Sequence, residues 1–248
     1  MTVLVADLGN SRFKIATVDS ESLGDVVSGA YDEGTGVIDL LLPSIEPGTT
    51  LMVASVARPR DRDVILDRLA REAGVAVKMI SAAQPLGGIV PGYRRPEQLG
   101  VDRLLAMIAV KALTDRPFCV VDAGTAVTMD FVDEFGQHMG GLILPGQQMF
   151  RDCLVNNTSI PRDRVVHPSD VLGRDTPTGV ARAAAYAVAG IAEMFLEGRR
   201  ALFAGREPEL FVGGGNAEDV VSMCAIQSRT VDHLVLRGLA VLALNGDV

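Results

Sequence analysis

Two short segments of the chain end an apolar run with the same pattern, Asp-x-Gly, followed by small hydroxyl or amide residues. The first is LVADLGNSRF (residues 4–13) and the second is CVVDAGTAVT (residues 119–128). Glycine lets a ligand approach the main chain, and its own amide and the amides that follow it can form a concavity suited to phosphate oxygens. One such segment is more typical of a plain hairpin turn. Two matched copies favour a pair of phosphate-binding turns.

The two segments offer different charges. Asp7 ends the first apolar run and suits a hydrated Mg²⁺ ion, which prefers carboxylate oxygen and keeps most of its waters. Lys14 lies three residues beyond Ser11 and adds a positive charge. In the second segment Met129 stands at the position of the lysine, and the candidate residues are Asp122, Gly124, Thr125 and Ala126. We therefore expect two unequal halves of one phosphate site.

A third candidate is the run YRRPEQLGVDR (residues 93–103), in which Gly100 precedes a predicted helix. Asp102 lies in the first turn of that helix, where an Asp usually serves only as a cap or dipole partner. Alternatively, Asp102 takes a proton from a substrate hydroxyl, because phosphoryl transfer demands positioning more than base strength. Arg103 and the helix N-terminus would then bind a substrate anion.

The composition excludes several classes of protein. A formal net charge of −8 over 248 residues argues against a nucleic-acid-binding surface. No apolar run approaches the roughly 18 residues that a membrane span requires, and the N-terminus lacks the basic segment of a secretory signal. The three cysteines are expected to be reduced and mostly buried, and the three histidines lack metal-binding spacing. We expect a cytoplasmic protein with no membrane or nucleic-acid partner.

The predicted elements repeat in two halves of the chain. The first half has two strands joined at Gly9-Asn10, the strand TLMVASV, the helix DVILDRLAREAG, the strand VAVKMI, a Gly- and Pro-rich loop and the helix VDRLLAMIAVKALTD. The second half has the strands FCVVDAG, TAVTMDFVD and GLILPG, the long helix TPTGVARAAAYAVAGIAEMFLEG, the strand, loop and helix of ELFVGGGNAEDVVSMCA, and a C-terminal helix. This repetition predicts an α/β fold of two similar lobes, residues 1–114 and 115–248, with a ligand cleft between them.

Five motifs resemble, in order and spacing, those of the type III pantothenate kinases. They are DLGNSRFK (7–14), the run from Tyr93 to GVDR (93–103), DAGTAVTMD (122–130), GGLILPG (140–146) and GRDT (173–176). The resemblance covers essentially the whole chain, including GGGNA (213–217) and the final HLVLRGL. The family belongs to the actin, hexokinase and Hsp70 superfamily. The resemblance therefore implies two duplicated ribonuclease H-like lobes with a nucleotide cleft between them.

The resemblance also implies an activity, namely phosphorylation of the primary hydroxyl of pantothenate by ATP, the first step toward coenzyme A. It implies Mg²⁺ held by Asp7 through water, K⁺ or NH₄⁺ bound by Asp122, and Asp102 as general base. The implied ATP-binding residues are Asp7, Leu8, Gly9, Asn10, Ser11, Arg12, Phe13, Lys14 and Thr125. The implied pantothenate-binding residues are Tyr93, Gly100, Val101, Asp102, Arg103 and Thr176, the last contributed across a homodimer interface.

Departures from the family pattern concern the Thr176 contact, where this chain has Pro177, Gly179 and Ala183. Residues 213–216 either contact adenosine or form a simple strand-to-helix turn. The alanine-rich helix is either a dimer interface or part of the core.

Two alternative functions remain. One is a regulatory protein like the Bvg accessory factor, which would be expected to have lost Asp7, Asp102 or Asp122. The other is a different phosphotransferase or phosphatase of the superfamily, which would lack the GVDR context. All three carboxylates and the GVDR run are present.

Overall fold

The computed structural model describes residues 3–19, 22–31, 36–160, 170–198 and 200–247. The strands are β1 (Val3–Leu8), β2 (Arg12–Val18), β3 (Val27–Ala30), β4 (Thr50–Ser55), β5 (Ala76–Met79), β6 (Phe118–Ala123), β7 (Ala126–Val132), β8 (His138–Pro145), β9 (Glu209–Gly213) and β10 (Ser228–Thr230). The helices are α1 (Pro59–Ala73), α2 (Val101–Lys111), α3 (Gln147–Asn157), α4 (Thr176–Leu196), α5 (Ala217–Met223) and α6 (Leu234–Asn245). Short 3₁₀ helices lie at Gly36–Leu40, Leu42–Ser44, Pro96–Gln98 and Arg200–Phe203.

The chain forms two compact units. The first unit comprises Met1–Thr114, Gly136–His138 and His233–Val248, and the second comprises Asp115–Phe135 and Met139–Asp232. The sequence-based division placed everything after residue 114 in the second lobe. The C-terminal segment instead belongs to the first unit, because α6 packs against α2 and against β1, β2 and β4.

Each unit contains one five-stranded sheet, and the two sheets have the same strand order. The order is β3-β2-β1-β4-β5 in the first unit and, read in the same sense, β8-β7-β6-β9-β10 in the second. In each sheet the central strand pairs antiparallel with the strand that follows it and parallel with the fourth. The predicted α/β fold with a duplicated lobe is confirmed.

The core of the first unit lies between its sheet and α1. Successive side chains of a strand point to opposite faces, and the alternate residues Leu4, Ala6 and Leu8 of β1 are fully buried in this core. Ile65 and Leu69 of α1 pack in the same core. Gly74 ends α1 in the left-handed conformation, φ 63°, as the sequence predicts. α6 contacts the same sheet on β1, β2 and β4.

The core of the second unit lies between its sheet and the helices α4 and α5. Val188, Ala192 and Leu196 of α4 pack against the buried strand residues Val121 and Met129. By length and composition alone, α4 is apolar enough to cross a membrane, a criterion that the core helices of soluble proteins also satisfy. These α4 residues lie in the core cluster. Of the two alternatives for the alanine-rich helix, a position in the core therefore explains the apolar character of this face.

The cysteines differ in burial. Cys119 is fully buried, Cys224 is partly buried and Cys153 is exposed, so the expectation of mostly buried thiols is wrong for Cys153. Burial, with a smaller contribution from the charge of Glu193, raises the pKa of the Cys224 thiol to about 11. Burial also raises the pKa of Cys119 well above its usual value. Both thiols therefore stay protonated near neutral pH.

Candidate active site

The first turn (residues 9–12) joins β1 to β2. The Gly9 amide donates a hydrogen bond to the carbonyl oxygen of Arg12, with an N···O distance of 3.0 Å. This bond corrects the expectation that the Gly9 amide faces phosphate, because the donor is used within the turn itself. Asn10 and Ser11 are exposed at the tip of the turn, so their amides are the remaining candidates for phosphate binding.

Asp7 lies opposite Lys14 in the antiparallel pair of β1 and β2. Directly opposed residues project from the same face of a sheet, so the carboxylate and the ammonium group share one face. The alternate residues Leu8 and Phe13 are fully buried in the core on the other face. Leu8 and Phe13 can therefore serve a nucleotide only through their backbone atoms.

Tyr31 supports the first turn, and the sequence analysis did not identify it. Its hydroxyl donates a hydrogen bond to the carbonyl oxygen of Gly9 over 3.0 Å, and its ring lies 5.7 Å from that of Phe13. Burial first, and then the charges of Asp7 and Asp61, raise the pKa of Tyr31. The hydroxyl therefore keeps its proton, and with it the ability to donate. Tyr31 lies outside every motif, so no local pattern could have indicated it.

The second turn (residues 124–126) joins β6 to β7. The amide of Gly124 donates to the carbonyl oxygen of Ala126 over 3.1 Å, as Gly9 does to Arg12 in the first turn. Three residues lie between the paired ends Ala123 and Val127, whereas four lie between Leu8 and Phe13. This shorter turn shifts the register by one residue.

The shift corrects the residue that faces Asp122. Equal spacing from each Asp predicted Met129 at this position. Because the second turn is one residue shorter, Asp122 lies opposite Thr128, and Met129 is fully buried in the core.

Three strand ends meet around Asp122 within the second unit. At the end of β8, the Gly146 amide donates to the carbonyl oxygen of Thr125 over 3.1 Å. At the end of β9, the Asn216 amide donates to the carbonyl oxygen of Ala123 over 3.0 Å. Gly214 has φ of +91°, and a Cβ there would lie 2.5 Å from the Asp122 carboxylate oxygen Oδ1. Residues 213–216 therefore lie against the second turn.

The start of α2 fixes the carboxylate of Asp102. The Asp102 Oδ1 atom accepts a hydrogen bond of 2.9 Å from the amide of Arg103. A Cβ on Gly100, the residue before the helix, would lie only 2.4 Å from the same oxygen. Residue 100 must therefore be glycine for the carboxylate to keep this position. Val101 is buried, so its side chain serves the core.

Arg103 and Tyr93 form one contact pair. Arg103 is 4% exposed, and its guanidinium group donates to the Tyr93 hydroxyl. The guanidinium carbon also lies 5.2 Å from the centroid of the Tyr93 ring, within range of a cation–π interaction. The structure therefore brings together Tyr93 and the Gly100–Arg103 segment, which the resemblance assigns to one binding site.

His138 joins this pair, although the sequence analysis set the histidines aside because their spacing suited no metal. Its side chain is 1% exposed and stacks on Tyr93, with ring centroids 5.8 Å apart and an interplanar angle of 20°. His138 lies far from Tyr93 in sequence, so no local pattern connects them. His167 lies outside the described residues.

Thr176 lies in the second unit as the first residue of α4, and it is exposed. Asp175 caps the helix by accepting a hydrogen bond from the Thr178 amide over 2.8 Å. Pro177 falls in the first turn of the helix, where an amide hydrogen would have no acceptor within the helix. A Cβ on Gly173 would lie 2.2 Å from the Gly179 amide nitrogen, so the two backbones are in close contact. Gly179 and Pro177 are therefore both compatible with the local backbone.

The chain matches the family model described as type III pantothenate kinase over residues 3–197. The chain belongs to the type III pantothenate kinase family. It is 35% identical over 246 residues to the type III pantothenate kinase of Azoarcus sp. (strain BH72), covering 97% of this chain and 90% of the relative. Membership in the type III pantothenate kinase family places the chain among the kinases.

Solved structures with a similar fold are described by names other than type III pantothenate kinase. A protein from Campylobacter jejuni assigned to the Baf family of transcriptional activators is 17% identical, with a TM-score of 0.57 and coverage of 99% and 100% of the two chains. The activator of 2-hydroxyisocaproyl-CoA dehydratase from Clostridium difficile, solved with bound ADPNP, is 12% identical with a TM-score of 0.54. That comparison covers 100% and 96% of the chains. At these identities the likeness shows the fold alone.

The residues around Asp7 and Asp122 fit the ions that a type III pantothenate kinase is expected to use. Carboxylate oxygen is the ligand that Mg²⁺ prefers, and Asp7 shares its sheet face with Lys14, a suitable counter-charge for phosphate. At Asp122, the Gly214 backbone lies close to the carboxylate, because a Cβ on that glycine would come within 2.5 Å of Oδ1. Oxygen ligands of this kind also suit a hard monovalent cation.

Proposed function

We propose that this protein transfers the γ-phosphoryl group of ATP to the primary hydroxyl of pantothenate, giving 4′-phosphopantothenate. One observation carries the proposal beyond family membership. The start of α2 holds the Asp102 carboxylate beside a buried Arg103 that contacts Tyr93. This arrangement supplies a base for a hydroxyl group and a cation for a carboxylate group, and pantothenate carries both.

Asp102 acts in this proposal as the general base. The Arg103 amide donates to its Oδ1 atom. This bond fixes the orientation in which the carboxylate accepts the proton. Since phosphoryl transfer passes through a loose transition state, positioning the hydroxyl contributes more than base strength. Arg103 and the N-terminus of α2 bind the substrate carboxylate. Thr176 completes the pantothenate site across a homodimer interface.

The two turns bind the nucleotide and its ions. The segment from Asp7 to Lys14 contacts the ATP phosphates, and Thr125 makes a further contact. Asp7 would hold Mg²⁺ through water, which would supply positive charge to the phosphates. Asp122 would bind K⁺ or NH₄⁺. We propose that the enzyme works in the cytoplasm, which agrees with a step of central cofactor synthesis.

A regulatory protein that binds nucleotide without catalysis is the alternative. The Baf-assigned structure shares the fold with this chain, and a shared fold does not decide between the two functions. Asp7, Asp102 and Asp122 are all retained, and a protein that only binds nucleotide has no need of the base. The retained carboxylates therefore favour the enzyme.

An ADP-release assay with purified protein, pantothenate, ATP and Mg²⁺ tests the proposal. We expect turnover that depends on pantothenate and is markedly stimulated when K⁺ replaces Na⁺ at equal ionic strength. Mass spectrometry of the product should show one added phosphoryl group. Folded protein that binds ATP but releases no ADP with pantothenate in K⁺ would support the regulatory alternative.

Tyr31→Phe should raise KM for ATP by about threefold to tenfold, the effect of one lost hydrogen bond to the first turn. The Phe ring keeps the packing on Phe13, so thermal stability should change little. Steady-state kinetics should show an unchanged KM for pantothenate. Tyr186→Phe on α4 is the matched control and should leave both constants at wild-type values. Equal increases in both KM values for Tyr31→Phe would contradict a specific role in nucleotide binding.

A further inference from the structure

His138 is a buried side chain to which the proposed reaction assigns no role. It is the first residue of β8, yet it belongs to the first unit, while the residues on either side of Gly136–His138 belong to the second. Its ring is stacked on Tyr93 with an interplanar angle of 20°. Tyr93 in turn meets Arg103 through its hydroxyl and its ring face. His138 is therefore one contact away from the proposed pantothenate site.

Two backbone hydrogen bonds hold His138 in this place. The Val90 amide donates to the carbonyl oxygen of Gly136 over 2.9 Å, and the His138 amide donates to the carbonyl oxygen of Val90 over 3.0 Å. The segment that leads to Tyr93 is thus paired with residues 136–138 as a short parallel bridge. A Cβ on Gly92 would lie 1.7 Å from the His138 carbonyl oxygen, so the two backbones approach as closely as glycine permits.

The His138 ring also holds the residue before Tyr93. Its Nδ1 atom accepts a hydrogen bond of 3.3 Å from the amide of Gly92. The same side chain therefore fixes Tyr93 twice, through its backbone at Gly92 and through its ring.

We infer that His138 is a positioning residue for pantothenate binding, acting through Tyr93. Its stacked ring and its Nδ1 atom hold Tyr93 where the hydroxyl meets Arg103. The Tyr93–Arg103 pair is thereby set in its binding geometry before the substrate arrives, which avoids the cost of ordering it on binding. This inference rests on the proposed function of the same site.

Variants at residue 138 separate the two contacts. His138→Ala removes both and should raise KM for pantothenate by roughly tenfold, as expected for one aromatic contact and one hydrogen bond. KM for ATP and kcat should stay at wild-type values. His138→Phe keeps a flat ring against Tyr93, and His138→Asn keeps an acceptor near the Gly92 amide. Each should recover part of the lost affinity, which a purely structural role would not produce.

Gln137→Ala is the matched control for loosening of the 136–138 segment. The Gln137 side-chain amide donates to the carbonyl oxygens of Val90 and His138 over 3.2 and 3.0 Å. This variant should lower thermal stability without changing KM for pantothenate. An increase in that KM equal to the His138→Ala effect would overturn the inference, as would a wild-type KM in His138→Ala.

Calorimetric titration with pantothenate distinguishes failure of this inference from failure of the proposed function. Wild-type protein that binds no pantothenate would overturn both. Wild-type protein that binds pantothenate with the same dissociation constant as His138→Ala would overturn the role of His138 alone. We expect the wild type to bind pantothenate and His138→Ala to bind it roughly tenfold more weakly.

Discussion

Asp102→Asn is expected to lower kcat by roughly 10²- to 10⁴-fold, the range for loss of a general base. Asn has the same shape and can still accept the hydrogen bond from the Arg103 amide through its side-chain oxygen. KM for pantothenate should therefore change little, because the proposed substrate contacts of Arg103 and Tyr93 remain. Steady-state kinetics with saturating ATP measures the effect.

A matched control removes a neighbouring carboxylate to which the proposed reaction assigns no role. Glu97 lies in the same segment and pairs with Arg95 over 3.0 Å, with both side chains well exposed. Exposed ion pairs of this kind contribute little to stability, so Glu97→Gln should keep wild-type turnover. A wild-type kcat in Asp102→Asn would return Asp102 to the role of a helix N-terminal residue.

The two roles that the sequence leaves open for Asp102 predict the same small loss of stability and differ in whether kcat falls with it. A negative charge in the first turn of a helix contributes about 0.3–1 kcal/mol. If Asp102 served only the helix, Asp102→Asn would lower the free energy of unfolding by about that amount and leave kcat unchanged. If Asp102 is the base, Asp102→Asn shows the same small loss of stability together with the large loss of kcat. Denaturant unfolding of both proteins completes the comparison.

Elements defined by local signals could be predicted from the sequence. The turn between β1 and β2 follows from Gly9-Asn10 between two apolar runs, and α1 ends at Gly74 because glycine adopts the left-handed conformation at no steric cost. The first turn of α2 follows from Gly100 and the apolar periodicity after it. In each case the residues that determine the structure lie within a few positions of one another.

Features that depend on distant residues could not be predicted. Tyr31 reaches Gly9 from a separation of 22 residues, and Gly92 reaches His138 from a separation of 46. The short strands β3 and β10 were also missed, because β3 lies in a stretch without apolar alternation and β10 has only three residues. The predicted helix VDRLLAMIAVKALTD also runs past the end of α2 at Lys111, and Leu113 beyond that end is 44% exposed.

The repetition of Asp-x-Gly reflects a repeated backbone arrangement as well as a repeated strand order. In the first unit the Leu8 carbonyl oxygen, directly after Asp7, accepts from the amides of Val56 and Ala57 at the end of β4. In the second unit the Ala123 carbonyl oxygen, directly after Asp122, accepts from the Asn216 amide at the end of β9. Each Asp therefore stands at the same point of its sheet. The side chains opposite them, Lys14 and Thr128, are what distinguish the two positions.

Asp122→Ala is expected to abolish the stimulation by K⁺, so that turnover in K⁺ falls to the level in Na⁺. The residue opposite Asp122 is the neutral Thr128 rather than a lysine, so no ammonium group on the paired strand competes with a bound cation. The Gly214 backbone lies close to the same carboxylate, because a Cβ there would come within 2.5 Å of Oδ1. Turnover measured in K⁺, NH₄⁺ and Na⁺ at equal ionic strength tests the expectation.

Asp152→Ala is the matched control for this variant. Asp152 lies on α3 in the same unit and accepts a hydrogen bond from Gln148 over 2.9 Å, and we expect its replacement to preserve the full K⁺ response. Asp122→Asn keeps an oxygen ligand without its charge and should retain a weaker response that needs more K⁺. Unchanged stimulation in folded Asp122→Ala would contradict the cation site. Loss of a monovalent-cation site lowers turnover only in the salts that stimulate the enzyme. An equal loss of turnover in all three salts would therefore make Asp122 a ligand of the nucleotide or its Mg²⁺ instead.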